Sequence, residues 1–156
     1  MKRSRVRSRA RAWIGRLALA AALWAPGPAR ADVVQFQLSA PSRHPGVQIT
    51  RIAYLKLEGT DLVVLREAKP QIMTRGRGDQ RLGFSLPGPP DALEVDYAVP
   101  AGSGAPTTLS IPPEQFSLGK TYFLPAPSPG GRVGPQPGDA ATDAAIRVSG
   151  PSLRQP

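Results

Sequence analysis

The chain has 156 residues, with 20 Lys and Arg against 11 Asp and Glu, no cysteine and a formal net charge of +9. That length suits one domain, and the lack of cysteine excludes disulfides, thiolate metal sites and a lipid carried on a cysteine. The charge invites a nucleic-acid reading, but its distribution removes it: eight basic residues (Lys2, Arg3, Arg5, Arg7, Arg9, Arg11, Arg16 and Arg30) precede Asp32, no acidic residue does, and the remainder holds twelve basic against eleven acidic side chains.

Residues 1–31 read as a cleaved secretory signal peptide. The basic stretch is followed by an apolar run, Leu17 to Ala25, of only nine residues, against about 20 for a membrane-spanning helix. A Pro-Gly-Pro break and the small residues of Ala29-Arg30-Ala31 then supply a cleavage site before Asp32. No Arg-Arg pair precedes the run, which disfavours the twin-arginine route. The expected product is periplasmic or secreted, of bacterial type, with no transmembrane anchor after cleavage.

Residues 32–124 are expected to form a β-sandwich domain. Val34, Phe36 and Leu38 alternate with Gln35, Gln37 and Ser39; "VQITRIAYLKLEG" and "DLVVLRE" follow, separated by a hairpin loop at Glu58-Gly59-Thr60. "QIMTR" is a shorter candidate. "RLGFSLP", "ALEVDYAV", "TTLSI" and "KTYFLP" complete eight short strands punctuated by Gly and Pro, a pattern of antiparallel sheets with one wet face each. The expected inner set is Phe36, Leu38, Ile49, Leu55, Leu57, Val64, Leu82, Phe84, Val95, Tyr97, Leu109, Phe116, Tyr122 and Leu124.

Residues 125–156 hold seven prolines and five glycines and are expected as a disordered, low-complexity tail. Within it, Ala145 to Ser149 is a candidate final strand. It has little apolar area to offset its ordering entropy.

Two stretches between Arg81 and Leu124 carry a resemblance. "RLGFSLPGPPDALEVDYAV" resembles strand B, the turn and strand C of a fibronectin type III domain, and Phe116, Gly119 and Tyr122 in "FSLGKTY" are similar to that family's apolar-x-x-Gly-x-x-Tyr signature. The resemblance implies an immunoglobulin-like antiparallel β-sandwich in which the Tyr122 hydroxyl pins a corner. Leu118 stands where the family usually has Pro, and Phe84 where it has Trp. No particular activity follows, since the fold hosts many.

Few residues suggest chemistry. His44 is the only histidine, and with Pro45 and Gly46 beside it reads as a turn residue. Glu94 and Asp96 share a strand face, with Asp91 just before them; paired carboxylates can bind calcium or act as acid and base, while alternation alone makes them a solvated face. Arg75, Arg77 and Arg81 are a candidate anion-binding patch, and Arg77-Gly78-Asp79 is the tripeptide that adhesion receptors read. No nucleophile elbow, phosphate-binding Gly loop or zinc-protease motif occurs. The chain is therefore expected to be a non-catalytic binding or assembly module of the bacterial cell envelope, without cofactor or metal, contacting another envelope protein through a sheet edge or end loops. A glycan ranks second as partner, because both tryptophans, Trp13 and Trp24, lie in the signal peptide. The alternatives are a surface-fibre subunit donating "VVQFQLS" to a neighbour's sheet and a small metal- or carboxylate-dependent hydrolase.

Overall fold

The computed structural model describes residues 31–40, 46–74, 79–99, 104–135 and 144–150. The described residues contain no helix and ten strands: β1 (Asp32–Ser39), β2 (Gln48–Glu58), β3 (Asp61–Ala68), β4 (Ile72–Met73), β5 (Gln80–Leu86), β6 (Ala92–Ala98), β7 (Thr107–Ile111), β8 (Thr121–Phe123), β9 (Arg132–Val133) and β10 (Ala145–Ser149). They build two sheets, ordered β5-β1-β10-β8 and β3-β2-β6-β7-β9, with β4 beside β2. All pairings are antiparallel except β7 with β9. The eight strands expected from the sequence correspond to β1–β8.

Alternation places the side chains. In β1, Val34, Phe36 and Leu38 are buried while Val33 and Gln35 are exposed. In β6, Leu93, Val95 and Tyr97 are buried, and Glu94 and Asp96 stand half-buried on the opposite face. One hydrophobic core joins the inward faces of both sheets, including Phe36, Leu38, Ile146 and Val148 from the first and Ile52, Tyr54, Val95 and Leu109 from the second. Successive side chains of a strand point to opposite faces, so such patterns follow from extended backbone alone.

Strand β2 departs from the expected inner set. Strict alternation from Ile49 would turn Leu55 and Leu57 inward. The register against β6 shifts between Ile49 and Arg51, which moves the phase by one residue, and the core-facing residues become Ile49, Ile52 and Tyr54. Leu55 is buried on the other face, in a small cluster with Ala53 and Ala92. Leu57 and Val64 are 43% and 49% exposed. The ladder with β6 ends at Leu55, so the tip of the β2–β3 hairpin overhangs its sheet with both faces in solvent. Leu82 and Phe116 are only partly buried against the core.

The C-terminal segment also departs from expectation. In place of a disordered tail from residue 125, β9 pairs with β7, and β10 lies between β1 and β8. Ala144, Ile146 and Val148 are fully buried. The narrow apolar face of "AAIRVS" suffices because neighbours on both sides satisfy its backbone, and burying each large aliphatic side chain contributes about 1.5–3 kcal/mol. The ordered β-structure therefore extends past residue 124. Residues 136–143 and 151–156 of this segment lie outside the described residues.

Candidate functional site

Glu94 and Asp96 project from the outer face of β6, and the structure surrounds them with partners from the other strands of the sheet. Arg51 on β2 reaches Glu94 at 3.4 Å, Asp96 at 3.8 Å and Glu67 on β3 at 3.1 Å. The Thr108 hydroxyl on β7 donates to Asp96 at 2.7 Å. Arg132 on β9 pairs with Glu94, and Lys69 approaches Glu67 at 3.9 Å. Three carboxylates thus meet three cationic groups, and the network crosses five of the six strands of the sheet, β3, β2, β6, β7 and β9. A divalent cation entering here would have to displace two guanidinium groups, so the arrangement ties strands together and offers no open ligand set. Among the described residues, no group of three or more His, Cys, Asp or Glu is arranged to hold a metal ion.

The other residues suggested by sequence are not brought together. Arg81 is exposed on β5, in register with Gln37. Arg75 and Arg77 lie outside the described residues, as does His44. Of the Arg-Gly-Asp tripeptide only Asp79 is described, and its carboxylate accepts a hydrogen bond from the Gln37 side chain at 2.5 Å.

A different cluster lies at the end of the molecule where the hairpin overhangs. Lys56, Leu57, Pro90, Asp91, Pro113, Phe116, Ser117 and Leu118 line a cleft of about 380 Å³. Asp91 organises it. Its backbone N–H donates to the Leu55 carbonyl at 2.8 Å, its carboxylate accepts the Leu57 N–H at 3.0 Å, and the Lys56 ammonium sits 3.1 Å away. The Leu57 N–H and then Lys56 hold the Asp91 carboxyl below the usual carboxylate range, because both favour its ionised form. The sequence groups Asp91 with Glu94 and Asp96; the fold instead assigns it to the hairpin, extending β2 past the end of β6.

The far wall of the cleft is fixed by Tyr122. Its hydroxyl donates to the Gln115 carbonyl at 3.0 Å and accepts the Ser117 N–H at 2.6 Å. Phe116 stacks on the same ring, centroids 6.3 Å apart and planes 8° from parallel. Gly119 between them has φ of +83°, a conformation that costs glycine little and other residues more. Leu118, at the tip of this loop, is 40% exposed.

Exposed apolar side chains gather around this end: Leu57, Leu62, Val63 and Val64 on the hairpin and Leu118 on the facing loop. Sequence reasoning missed this surface. The signal for it was the unbroken run Leu62-Val63-Val64-Leu65, which a strand with one wet face does not carry. Comparison with family models, with curated proteins and with solved structures finds no match.

Proposed function

We propose that this chain is an exported, non-catalytic binding module of the bacterial envelope, and that it contacts a protein partner with the overhanging β2–β3 hairpin and the adjoining loop cleft. The observation that carries this reading is the concentration of Leu57, Leu62, Val63, Val64 and Leu118 at one end of the molecule. Clustered exposed apolar surface marks interaction sites more than scattered residues do. Mixed with Lys56 and Asp91, it suits a protein surface better than a sugar, and no tryptophan is present among residues 32–156 to stack on a ring. The ion pairing of Glu94 and Asp96 supports a binding role over catalysis, since both carboxylates are engaged by side chains of neighbouring strands. The fibre-subunit reading draws no support from β1, which is laddered on both sides within its own chain.

The two-layer antiparallel layout is read as a β-sandwich of immunoglobulin-like build. The Tyr122 corner supports this, as does the placement of β5 and β6 in different sheets, like strands B and C of that family. Its strand order is its own: β8 lies in the sheet of β5, where the family's Tyr-bearing strand F would lie with C.

The test is site-specific photocrosslinking in the producing cell, with the probe at Leu57, at Leu118 and, as a control on an exposed strand face, at Gln35. The expected result is one discrete protein adduct at Leu57 and Leu118 and none at Gln35. Substrate turnover abolished by Glu94→Gln or Asp96→Asn would overturn the reading.

A further inference from the structure

We infer that the free edge of β3 pairs with β3 of a second copy of this chain, antiparallel about a two-fold axis at Val63. This deepens the proposal above, resting on the hairpin as a contact surface, and names one occupant of it.

Strand β3 is the terminal strand of its sheet among the described residues. Its residues Asp61 to Val64 are all exposed, so edge and side chains are both available. The backbone then dictates a register. Glu58 and Asp61 close the two-residue Gly59-Thr60 turn, where Gly59 has φ of +65°, and the pair closing such a turn is hydrogen-bonded. Antiparallel pairs alternate, so the N–H and C=O groups of Leu62 and Val64 turn away from β2. Open edges of this kind pair with other strands.

Two-fold symmetry narrows the choice further. An axis normal to the sheet keeps every side chain on its own face, so residues opposite one another must have equal parity and the axis must pass through a residue. Centring on Val64 sets Asp61 against Glu67 of the other copy, like charges face to face. Centring on Leu62 leaves the outward groups of Val64 against Thr60 in the turn. Centring on Val63 matches the outward groups of Leu62 and Val64 with one another in both directions. It also sets Asp61 of one copy against Leu65 of the other, so that no like charges stand opposite one another. The register of β3 against β2 shifts at Leu65, a bulge that ends the regular edge and, about an axis at Val63, limits regular pairing to Leu62 through Val64. The contact is accordingly small and the dimer weak, at the low end of specific interfaces.

The absence of cysteine from the chain makes the register measurable. Single Leu62→Cys, Val63→Cys and Val64→Cys variants each carry one thiol. Under mild oxidation Val63→Cys should give a disulfide dimer about tenfold faster than the other two, because only there do identical residues face each other in the closer, non-hydrogen-bonded kind of pair. In sedimentation the purified protein should show a concentration-dependent dimer. Val63→Glu should weaken it about tenfold with the unfolding midpoint unchanged, since the new carboxylate faces Lys56 in its own chain and a like charge across the axis. Equal disulfide rates at the three positions, or a monomer at every concentration, would overturn the pairing. Failure of self-pairing is separable from failure of the binding-module reading: an unsubstituted chain that stays monomeric at every concentration yet still gives a protein adduct at Leu118 in the producing cell overturns the self-pairing alone.

Discussion

Tyr122 donates its hydroxyl to the carbonyl of Gln115, seven residues upstream, at 3.0 Å. The same oxygen accepts the Ser117 N–H, so one side chain satisfies two backbone groups of a loop that has no ladder of its own. Tyr122→Phe should lower stability by about 0.5–1.5 kcal/mol without changing the β content. A denaturation midpoint equal to that of the parent would show that water replaces both contacts at no cost.

Alkaline pH should destabilise the fold. Burial pushes the Tyr97 hydroxyl up from 10.0 to about 12, where it donates to the Pro125 carbonyl at 2.8 Å; burial also raises Tyr54. A raised folded value means that the neutral form is favoured by folding, so this stabilisation is whole below pH 10 and is lost as the pH climbs toward 12. Urea midpoints measured at pH 8, 10 and 12 should fall across the last interval (the pH values are chosen around the shift). Tyr97→Phe should flatten part of that fall.

Strand β10 should be essential. Ile146 is fully buried and lies opposite Leu38 on one side and Tyr122 on the other. Ile146→Ala should cost about 2–5 kcal/mol, the usual range for truncating a buried aliphatic residue. Ending the chain at Leu124 should abolish cooperative unfolding, because it leaves β1 and β8 with unpaired inner edges. Near-parent stability of the truncated chain, read by circular dichroism on heating, would contradict the placement of β10.

Arg51 should matter more than either carboxylate it holds. Glu94→Gln removes one partner from a network and should cost roughly 0.2–1 kcal/mol. Arg51→Gln leaves Glu67, Glu94 and Asp96 gathered without their shared cation, and should cost roughly 1–3 kcal/mol. Added salt should narrow the difference by screening the carboxylates from one another. Identical losses for the two variants would mean that the network acts as independent surface pairs.

Processing should remove residues 1–31. The intact mass of the exported protein should correspond to a chain beginning at Asp32, and the product should lack tryptophan fluorescence, since Trp13 and Trp24 are the only tryptophans. A product retaining either would refute the cleavage site.

The sequence by itself determined the strands and most of their faces. Val34, Phe36 and Leu38, or Leu93, Val95 and Tyr97, alternate because extended backbone turns neighbouring side chains to opposite sides, a property of each strand alone. The Tyr122 corner was legible through the resemblance of Phe116, Gly119 and Tyr122 to the fibronectin type III signature, and it too is local, its partners Gln115 and Ser117 lying only seven and five residues away. Tertiary structure decided what depends on distant neighbours. The bulge that turns Ile52 and Tyr54 inward exists only in the register of β2 against β6. The order of "AAIRVS" comes from being laddered between β1 and β8, more than 20 residues away in sequence on the nearer side. Arg51 reaches Glu94 across 43 residues, so whether the acidic pair is an open site or a compensated one is invisible to any local pattern. Exposure of the hairpin was hidden in the same way: Leu57, Leu62, Val63 and Val64 have strand propensity wherever they stand, and they face solvent because Leu57 lies beyond the last β2–β6 pair while Leu62, Val63 and Val64 stand on the terminal strand of the sheet.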